Sequence, residues 1–191
     1  MISLAYSFLA LAVVKIIVEV VLLTVTVLVA VKIVNFLTKG FDEWKEIHKG
    51  NVAVAIYMAG VFISVGFIVQ PGIKYFLDSL SLDLAGQEAV QVLLSIEAGI
   101  IQLIVAFVVA IFVQFLTVEM LKHIHRLMAE YNEWDEMRKG NIAAGIIMGA
   151  ILALIGILVS TAMTSILDLI RTGTPESLSG VVLGLLGTFG G

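Results

Sequence analysis

The sequence predicts an all-α integral membrane protein with four transmembrane helices, arranged as two parallel tandem two-helix repeats. Three observations carry this prediction: the apolar composition, four long apolar stretches and an internal duplication. Hydrophobic residues make up 60% of the 191 residues and charged residues only 14%, whereas soluble proteins carry about 25% charged residues. A soluble fold of this size exposes too much of its chain to hide so much apolar surface.

Four stretches are long enough to cross a bilayer, which takes about 20 mostly apolar residues. They cover residues 6–37, 52–69, 89–118 and 142–170. Their apolar residues are continuous rather than alternating, which favours helices over the strands of a membrane barrel. The first stretch lacks a basic leader and is too long for a cleaved signal peptide, so we interpret it as the first span.

Two further segments lie outside these spans. After Pro71, apolar residues recur at helical spacing and predict an outer amphipathic helix at the membrane interface. The glycine-rich C-terminal tail is too short to span, and we expect it to pack against neighbouring subunits. The predicted organisation is a first two-span repeat over 1–80, an outer linker over 81–90, a second two-span repeat over 91–171 and a Gly-rich apolar tail over 172–191.

The chain contains an ungapped internal duplication, because residues 41–80 align with residues 131–170. Each unit holds two spans and returns the chain to its starting side. The units are therefore parallel rather than inverted. The shared frame is E-W-x-E-x-x-K-G-N, here named the EW motif, and it comprises Glu43, Trp44, Glu46, Lys49, Gly50 and Asn51 in the first repeat and Glu133, Trp134, Glu136, Lys139, Gly140 and Asn141 in the second.

Acidic residues, then K-G-N, then a span that begins with alanine and carries a mid-span glycine resemble the YjfL-like membrane protein family (domain of unknown function 350). The resemblance covers residues 8–80 and 98–170. It implies short two-span units in tandem. It brings no established reaction with it, so it supports the architecture and leaves the function open.

The EW motif has the composition of a turn that re-enters the membrane. Asparagine caps a helix N-terminus, the preceding glycine eases a sharp turn, and tryptophan favours headgroup depth. Lysine and arginine gather in the two loops that carry the motif. The positive-inside rule places these loops in the cytoplasm and both termini outside the cell membrane. The alternative interpretation makes the acidic residues of the motif a site for a partner or a cation.

Small residues four positions apart occur in the second and fourth spans. In lipid, such spacing lets two helices approach closely. We expect these residues to form a seam between the repeats, between protomers, or both. The predicted packing residues are Ala55, Ala59, Gly145, Gly149 and Ala153.

Polar side chains inside the first and third spans are candidates for function. One interpretation places their ionisable groups at the membrane boundaries, where they snorkel or pair. The other makes them line a polar path. An ion route normally needs a carboxylate near mid-membrane, whereas glutamines occupy that depth here, which favours a passive pore over a pump. The candidates are Lys15, Glu19, Glu97, Gln102, Gln114 and Glu119.

Several function classes are excluded or disfavoured by composition. The chain has no cysteine and a net charge of −4, which excludes thiolate chemistry and disfavours nucleic-acid binding. No catalytic or metal-binding motif is present, so we expect a non-enzymatic protein without a cofactor. The first interpretation is a structural or scaffold component of a homo-oligomeric assembly in the lipid bilayer, in contact with a membrane or cytoplasmic protein partner. The alternative is an oligomeric ion channel or small-solute pore lined by spans one and three.

Overall fold

The computed structural model describes residues 2–38, 42–80, 89–127 and 133–172, and every regular element within them is a helix. Four of the helices are long and apolar enough to cross a membrane. The predicted all-α fold with four potential membrane spans is therefore confirmed. In chain order the helices are α1 (Ile2–Leu37), α2 (Glu43–His48), α3 (Val52–Ser79), α4 (Ala89–Leu127), α5 (Glu133–Arg138) and α6 (Ile142–Thr172).

Helix α3 lies at the centre of the bundle and packs against each of the other five helices. Its most extensive contact is with α6, followed by α4 and then α1. About half of the α3 span is buried inside the chain (56%), whereas only 17% of the α1 span is. Helix α1 is therefore a peripheral element, with most of its apolar side chains on the outside.

Helices α3 and α6 run side by side in the same direction. Three glycines of α6 rest directly on the α3 backbone, so that a Cβ atom at any of them would collide with main-chain atoms. The contacting pairs are Gly145 with Ala53, Gly149 with Ile56, and Gly156 with Ser64. From one pair to the next, the residue numbers increase along both helices, so the two helices run in the same direction. This parallel direction is what two tandem repeats of the same orientation require.

Helix α4 runs antiparallel to α3 and packs closely along it. Gly72 of α3 faces Ala106, and Gly99 of α4 faces Ser79. Helix α1 is the counterpart of α4 in the first repeat and also runs antiparallel to α3, yet its contacts are fewer. The central group is therefore α3, α4 and α6, with α1 added on one side.

The segment after Pro71 corrects one prediction. It is helical, but it continues α3 without a break to Ser79 rather than forming a separate amphipathic helix. Ile73 and Tyr75 are buried, and the close contact of Gly72 with α4 keeps this segment in the bundle. Proline is tolerated inside a membrane helix when neighbouring helices support the interrupted turn. Apolar spacing alone did not reveal that support.

Most of the predicted outer linker and nearly all of the predicted tail lie outside the described residues. Residues 89–90 of the linker begin α4, and Thr172 ends α6. The expected packing of the tail against neighbouring subunits therefore stays a prediction.

Both short helices lie at the same end of the bundle. The side-chain amide of Asn51, which follows α2, donates a hydrogen bond to the carbonyl of Met137 in α5 over 2.8 Å. We refer to this end as the motif end and to the opposite one as the far end. The two EW motifs are therefore neighbours in space as well as repeats in sequence.

Candidate functional site

Each EW motif folds into a short helix followed by a tight turn. Gly50 and Gly140 adopt left-handed backbone conformations, with φ of 84° and 85°, which residues with a Cβ rarely adopt. Their N–H groups donate to the carbonyls of Ile47 (2.9 Å) and Met137 (3.0 Å). These bonds close each short helix before the chain enters the next span.

The asparagine after each glycine caps the long helix that follows. Asn51 Oδ1 accepts a hydrogen bond from the N–H of Val54 (3.3 Å), and Asn141 Oδ1 accepts one from Ala143 (3.1 Å). Such caps satisfy backbone donors that the first helical turn leaves open. The cross-repeat bond from Asn51 to Met137 is additional, so the first asparagine also joins the two motifs.

Both motifs carry the same exposed ion pair. Lys49 lies 2.7 Å from Glu46, and Lys139 lies 2.8 Å from Glu136. The lysine hydrogen bond is the main reason that the pKa of each glutamate is lowered. Exposed pairs of this kind contribute little to stability. Each pair joins the short helix to the turn that follows it.

The first acid of each motif behaves differently in the two repeats. The side chain of Glu43 is buried, with 1% of its surface exposed, whereas that of Glu133 is half-buried. Glu43 lies beside the Thr38 hydroxyl. It also lies near Tyr57, whose ring meets Trp134 edge-on at a centroid distance of 5.3 Å. The first motif, α3 and the second motif thus meet in one buried polar cluster.

This cluster contains two buried oxygen atoms without a hydrogen-bond partner among the described residues. They are Glu43 Oε1 and the hydroxyl oxygen of Tyr57. Burial raises the pKa of Glu43, and the Thr38 hydroxyl offsets part of that rise. A buried carboxyl in such a setting favours its neutral, protonated form. Buried polar atoms without partners are uncommon and call for an explanation, so we take this cluster as the candidate functional site.

Glu43→Gln is expected to change the pH dependence of stability. Because the folded-state pKa of Glu43 is raised, the unfolded chain ionises this carboxyl first as the pH rises. Below the unfolded-state pKa the carboxyl is neutral in both states and does not reduce stability. As the pH rises from that value through the folded-state pKa, ionisation favours the unfolded chain and stability is lost. The melting temperature in detergent, measured from about pH 4 to 8, should therefore fall less with rising pH for the variant than for the wild type.

The matched control is Glu46→Gln, because the pKa of Glu46 is shifted in the opposite direction. Its contribution to stability is present above the unfolded pKa and is lost as the pH falls through the lowered folded pKa. Identical pH profiles for wild type and Glu43→Gln would show that the Glu43 carboxyl is not held in its neutral form.

Glu43 and Trp134 belong to the EW motif and could be identified from the sequence, whereas Thr38 and Tyr57 were missed. Thr38 carries no motif signal. Tyr57 carries a signal of another kind, because the duplication places the aliphatic Ile147 at the equivalent position of α6. A tyrosine that replaces an aliphatic residue in one copy of a membrane span marks a polar contact specific to that copy.

The two glutamines of α4 bond to other helices. The Gln114 amide donates to the Ser64 hydroxyl of α3 over 2.6 Å, and the Gln102 amide donates to the Leu167 carbonyl of α6 over 3.2 Å. Both side chains are buried. Near the far end, the Tyr75 hydroxyl likewise donates to Asp168. These three hydrogen bonds therefore connect α3, α4 and α6.

Gln114→Leu is expected to destabilise the fold by about 1–2 kcal/mol, because it leaves the buried Ser64 hydroxyl without its donor. A double-mutant cycle with Ser64→Ala, measured as the free energy of unfolding in detergent, isolates this bond. The double variant should be no less stable than Gln114→Leu alone. Additive losses would mean that the two side chains do not interact.

The remaining candidate side chains occupy different places. Lys15 and Glu19 of α1 line a recess of about 340 Å³ that α1 forms with α3 near the far end. Gln70, Lys74 and Asp78 complete its polar lining. Glu97 is exposed on α4 and Glu119 is half-buried. The six predicted polar residues thus fall into a recess, two interhelical bonds and two separate positions on α4.

The predicted packing residues divide between two faces. Gly145 and Gly149 lie buried against α3, whereas Ala59 is exposed and Ala55 and Ala153 are half-buried. On the α3 side, the internal contact uses Ala53, Ile56, Gly60 and Ser64. Among the residues that the structure describes, no group of three or more histidine, aspartate or glutamate side chains is placed to hold a metal ion.

Fold and site together define a multi-pass membrane protein built from two tandem copies of a helical unit with the EW motif between its spans. The sequence profile of the family named Domain of Unknown Function (DUF350) matches residues 7–119 and again residues 95–190. The chain belongs to this family, and the two matches confirm the tandem repeat. Comparison with curated proteins and with solved structures gave no match.

Proposed function

We propose that this chain is a non-enzymatic structural component of an oligomeric assembly in the cell membrane. The supporting observation is the use of its intramembrane polar groups. Gln102 and Gln114 bond α4 to its neighbours, and Tyr75 bonds α3 to α6. Polar side chains engaged in this way stabilise a rigid bundle instead of facing a permeating solute.

The two exposed surfaces suit contacts with lipid and protein. Helix α1 presents a broad apolar surface for lipid or other helices. The motif end presents charged side chains around Trp44, which is exposed and suited to headgroup depth. We place the motif end in the cytoplasm and both termini outside, because the loops at that end carry most of the lysine and arginine.

Reconstitution into liposomes tests this proposal. A structural component is expected to leave K⁺, Na⁺, Cl⁻ and proton flux at the level of protein-free liposomes. The same chain, extracted gently from native membranes, should be recovered in a particle larger than one copy. Flux above background that scales with protein density, or recovery as a single chain only, would contradict the proposal.

The second candidate function is an ion or small-solute pore formed between copies. The recess that Lys15, Glu19, Lys74 and Asp78 line supports it, because charged side chains gathered at one end of a membrane bundle suit an ion entrance. A pore predicts flux that Glu19→Gln and Lys74→Gln change in selectivity. Asp42→Asn, an exposed position at the opposite end, is the control and should leave selectivity unchanged.

A further inference from the structure

The duplication leaves two helix faces uncovered, each equivalent to a face that is buried inside the chain. The buried contact joins one face of α3 (Ala53, Ile56, Gly60, Ser64) to one face of α6 (Gly145, Gly149, Gly156). At the 90-residue offset, the first set corresponds to Ala143, Ile146, Ala150 and Leu154, here named the α6 outer face. The second set corresponds to Ala55, Ala59 and Gly66, here named the α3 outer face.

Both outer faces are accessible in a single chain. All four residues of the α6 outer face are exposed. On the α3 outer face Ala59 is exposed, and Ala55 and Gly66 are half-buried. Each face is the counterpart of a surface that already binds the other kind of face within the chain. The internal contact therefore shows what each uncovered face is shaped to receive.

Where the two repeats differ in sequence, the side chains on the two outer faces are complementary in size. Gly156 has no room for a Cβ because Ser64 lies against it, whereas a Cβ at its counterpart Gly66 would meet nothing within 4 Å. The counterpart of Ser64 is Leu154, whose larger side chain suits the open space over Gly66. Small residues are also kept where two glycines meet internally, because Gly60 and Gly149 correspond to Ala150 and Ala59.

A second pair of exposed side chains extends this match to the motif end. Inside the chain, Trp134 packs edge-on against Tyr57. Their counterparts are Trp44, which is 43% exposed, and Ile147, which is 52% exposed. An indole ring and an aliphatic side chain therefore stand uncovered at the positions where the internal contact has a packed pair.

We propose that a second copy of this chain binds head to tail, with the α6 outer face of one copy on the α3 outer face of the next. In this contact Leu154 packs over Gly66, Ala150 lies against Ala59, and Ile147 meets Trp44. The inference rests on the proposed structural role and names its partner. Because two different surfaces meet, the contact is heterologous and produces a closed ring or an open chain of copies.

Disulfide trapping tests this contact directly, because the chain has no cysteine of its own. Two differently tagged copies, one with Ala59→Cys and the other with Ala150→Cys, are co-expressed and oxidised in native membranes. The expected product is a disulfide between the two tags, since small residues bring the backbones within bonding distance. Ile104→Cys, exposed on α4, replaces Ala59→Cys in the control and should give no product with Ala150→Cys.

The possible results separate this contact from the proposed function. Disulfides only between identical positions would indicate a two-fold contact and overturn the head-to-tail arrangement, while leaving an oligomeric role intact. Absence of the mixed disulfide overturns the inference whatever the particle size. If the extracted chain is also a single copy, the proposed function fails as well.

A bulky substitution provides a test that does not depend on disulfide geometry. Ala150→Trp adds volume to an exposed position of the single chain and should keep the helical content while reducing the native particle to single copies. Ile104→Trp is the matched control and should leave the particle size unchanged. Retention of the full particle by Ala150→Trp would overturn the proposed contact.

Discussion

Gly156→Ala is expected to destabilise the folded chain by about 1–3 kcal/mol, the usual range for adding a methyl group to a filled interior. The added Cβ would overlap the Ser64 main chain, which cannot move aside as a flexible side chain could. Helices α3 and α6 would have to separate along their main contact. Unfolding in detergent, followed by tryptophan fluorescence and helical content, measures the loss.

The duplication supplies the control for this prediction. Gly66→Ala is the same change at the equivalent position of α3, where a Cβ meets nothing within 4 Å. Its free energy of unfolding should stay near the wild-type value, and particle size is followed separately because Gly66 lies on the α3 outer face. Equal losses for the two variants would mean that α6 does not rest on α3 at Gly156.

Asn51→Ala is expected to cost about 1–3 kcal/mol, because two separate interactions disappear with one side chain. The first is the cap on α3, in which Asn51 Oδ1 accepts from Val54. The second is the hydrogen bond from the Asn51 amide to the Met137 carbonyl in the other repeat. The unfolding free energy and the protease resistance of the motif end provide the measurements.

Asn141→Ala is the equivalent change in the second repeat. Asn141 caps α6 through Ala143, and its amide donates to Glu136 within its own motif. Both bonds lie within the second repeat, so their loss should leave the first motif attached to the second. An equal loss of protease resistance at the motif end for Asn141→Ala and Asn51→Ala would contradict the assigned role of Asn51 in joining the motifs.

The class and the orientation of the repeats could be predicted from sequence because both depend on local properties. The length of an apolar stretch decides whether it can span, and an even number of spans per unit makes the units parallel. The caps at Asn51 and Asn141 and the turns at Gly50 and Gly140 were predictable for the same reason. Each depends on backbone chemistry within a few residues.

The central position of α3 could not be predicted, because the duplication makes α3 and α6 nearly equivalent in sequence. Which of the two helices lies at the centre depends on which faces meet. That depends on sequence differences between the repeats, such as Ser64 in α3 and its equivalent Leu154 in α6. The small-residue spacing also selected Ala59 on α3, whereas the internal contact uses Gly60. Spacing identifies residues that permit a close approach, but it does not identify the partner helix.

The chemistry of the buried cluster depends on contacts that are distant in sequence. The motif identifies Glu43 and Glu133 as equivalent acids, yet only Glu43 is fully buried. Tyr57 accounts for part of this difference, because it lies near Glu43 and packs on Trp134. The raised pKa of Glu43 therefore follows from its burial, which the motif alone does not predict.

The position of α3 also governs how the protein is made. The ribosome finishes this helix before it synthesises α6, and the 62 residues from 80 to 141 take on the order of ten seconds at typical elongation rates. During that interval the Gly60 and Ser64 surface lacks the α6 glycines that later cover it. The contact between α3 and α6 therefore forms after α4 has been made, and a variant that delays α6 prolongs the stage at which this face of α3 is uncovered.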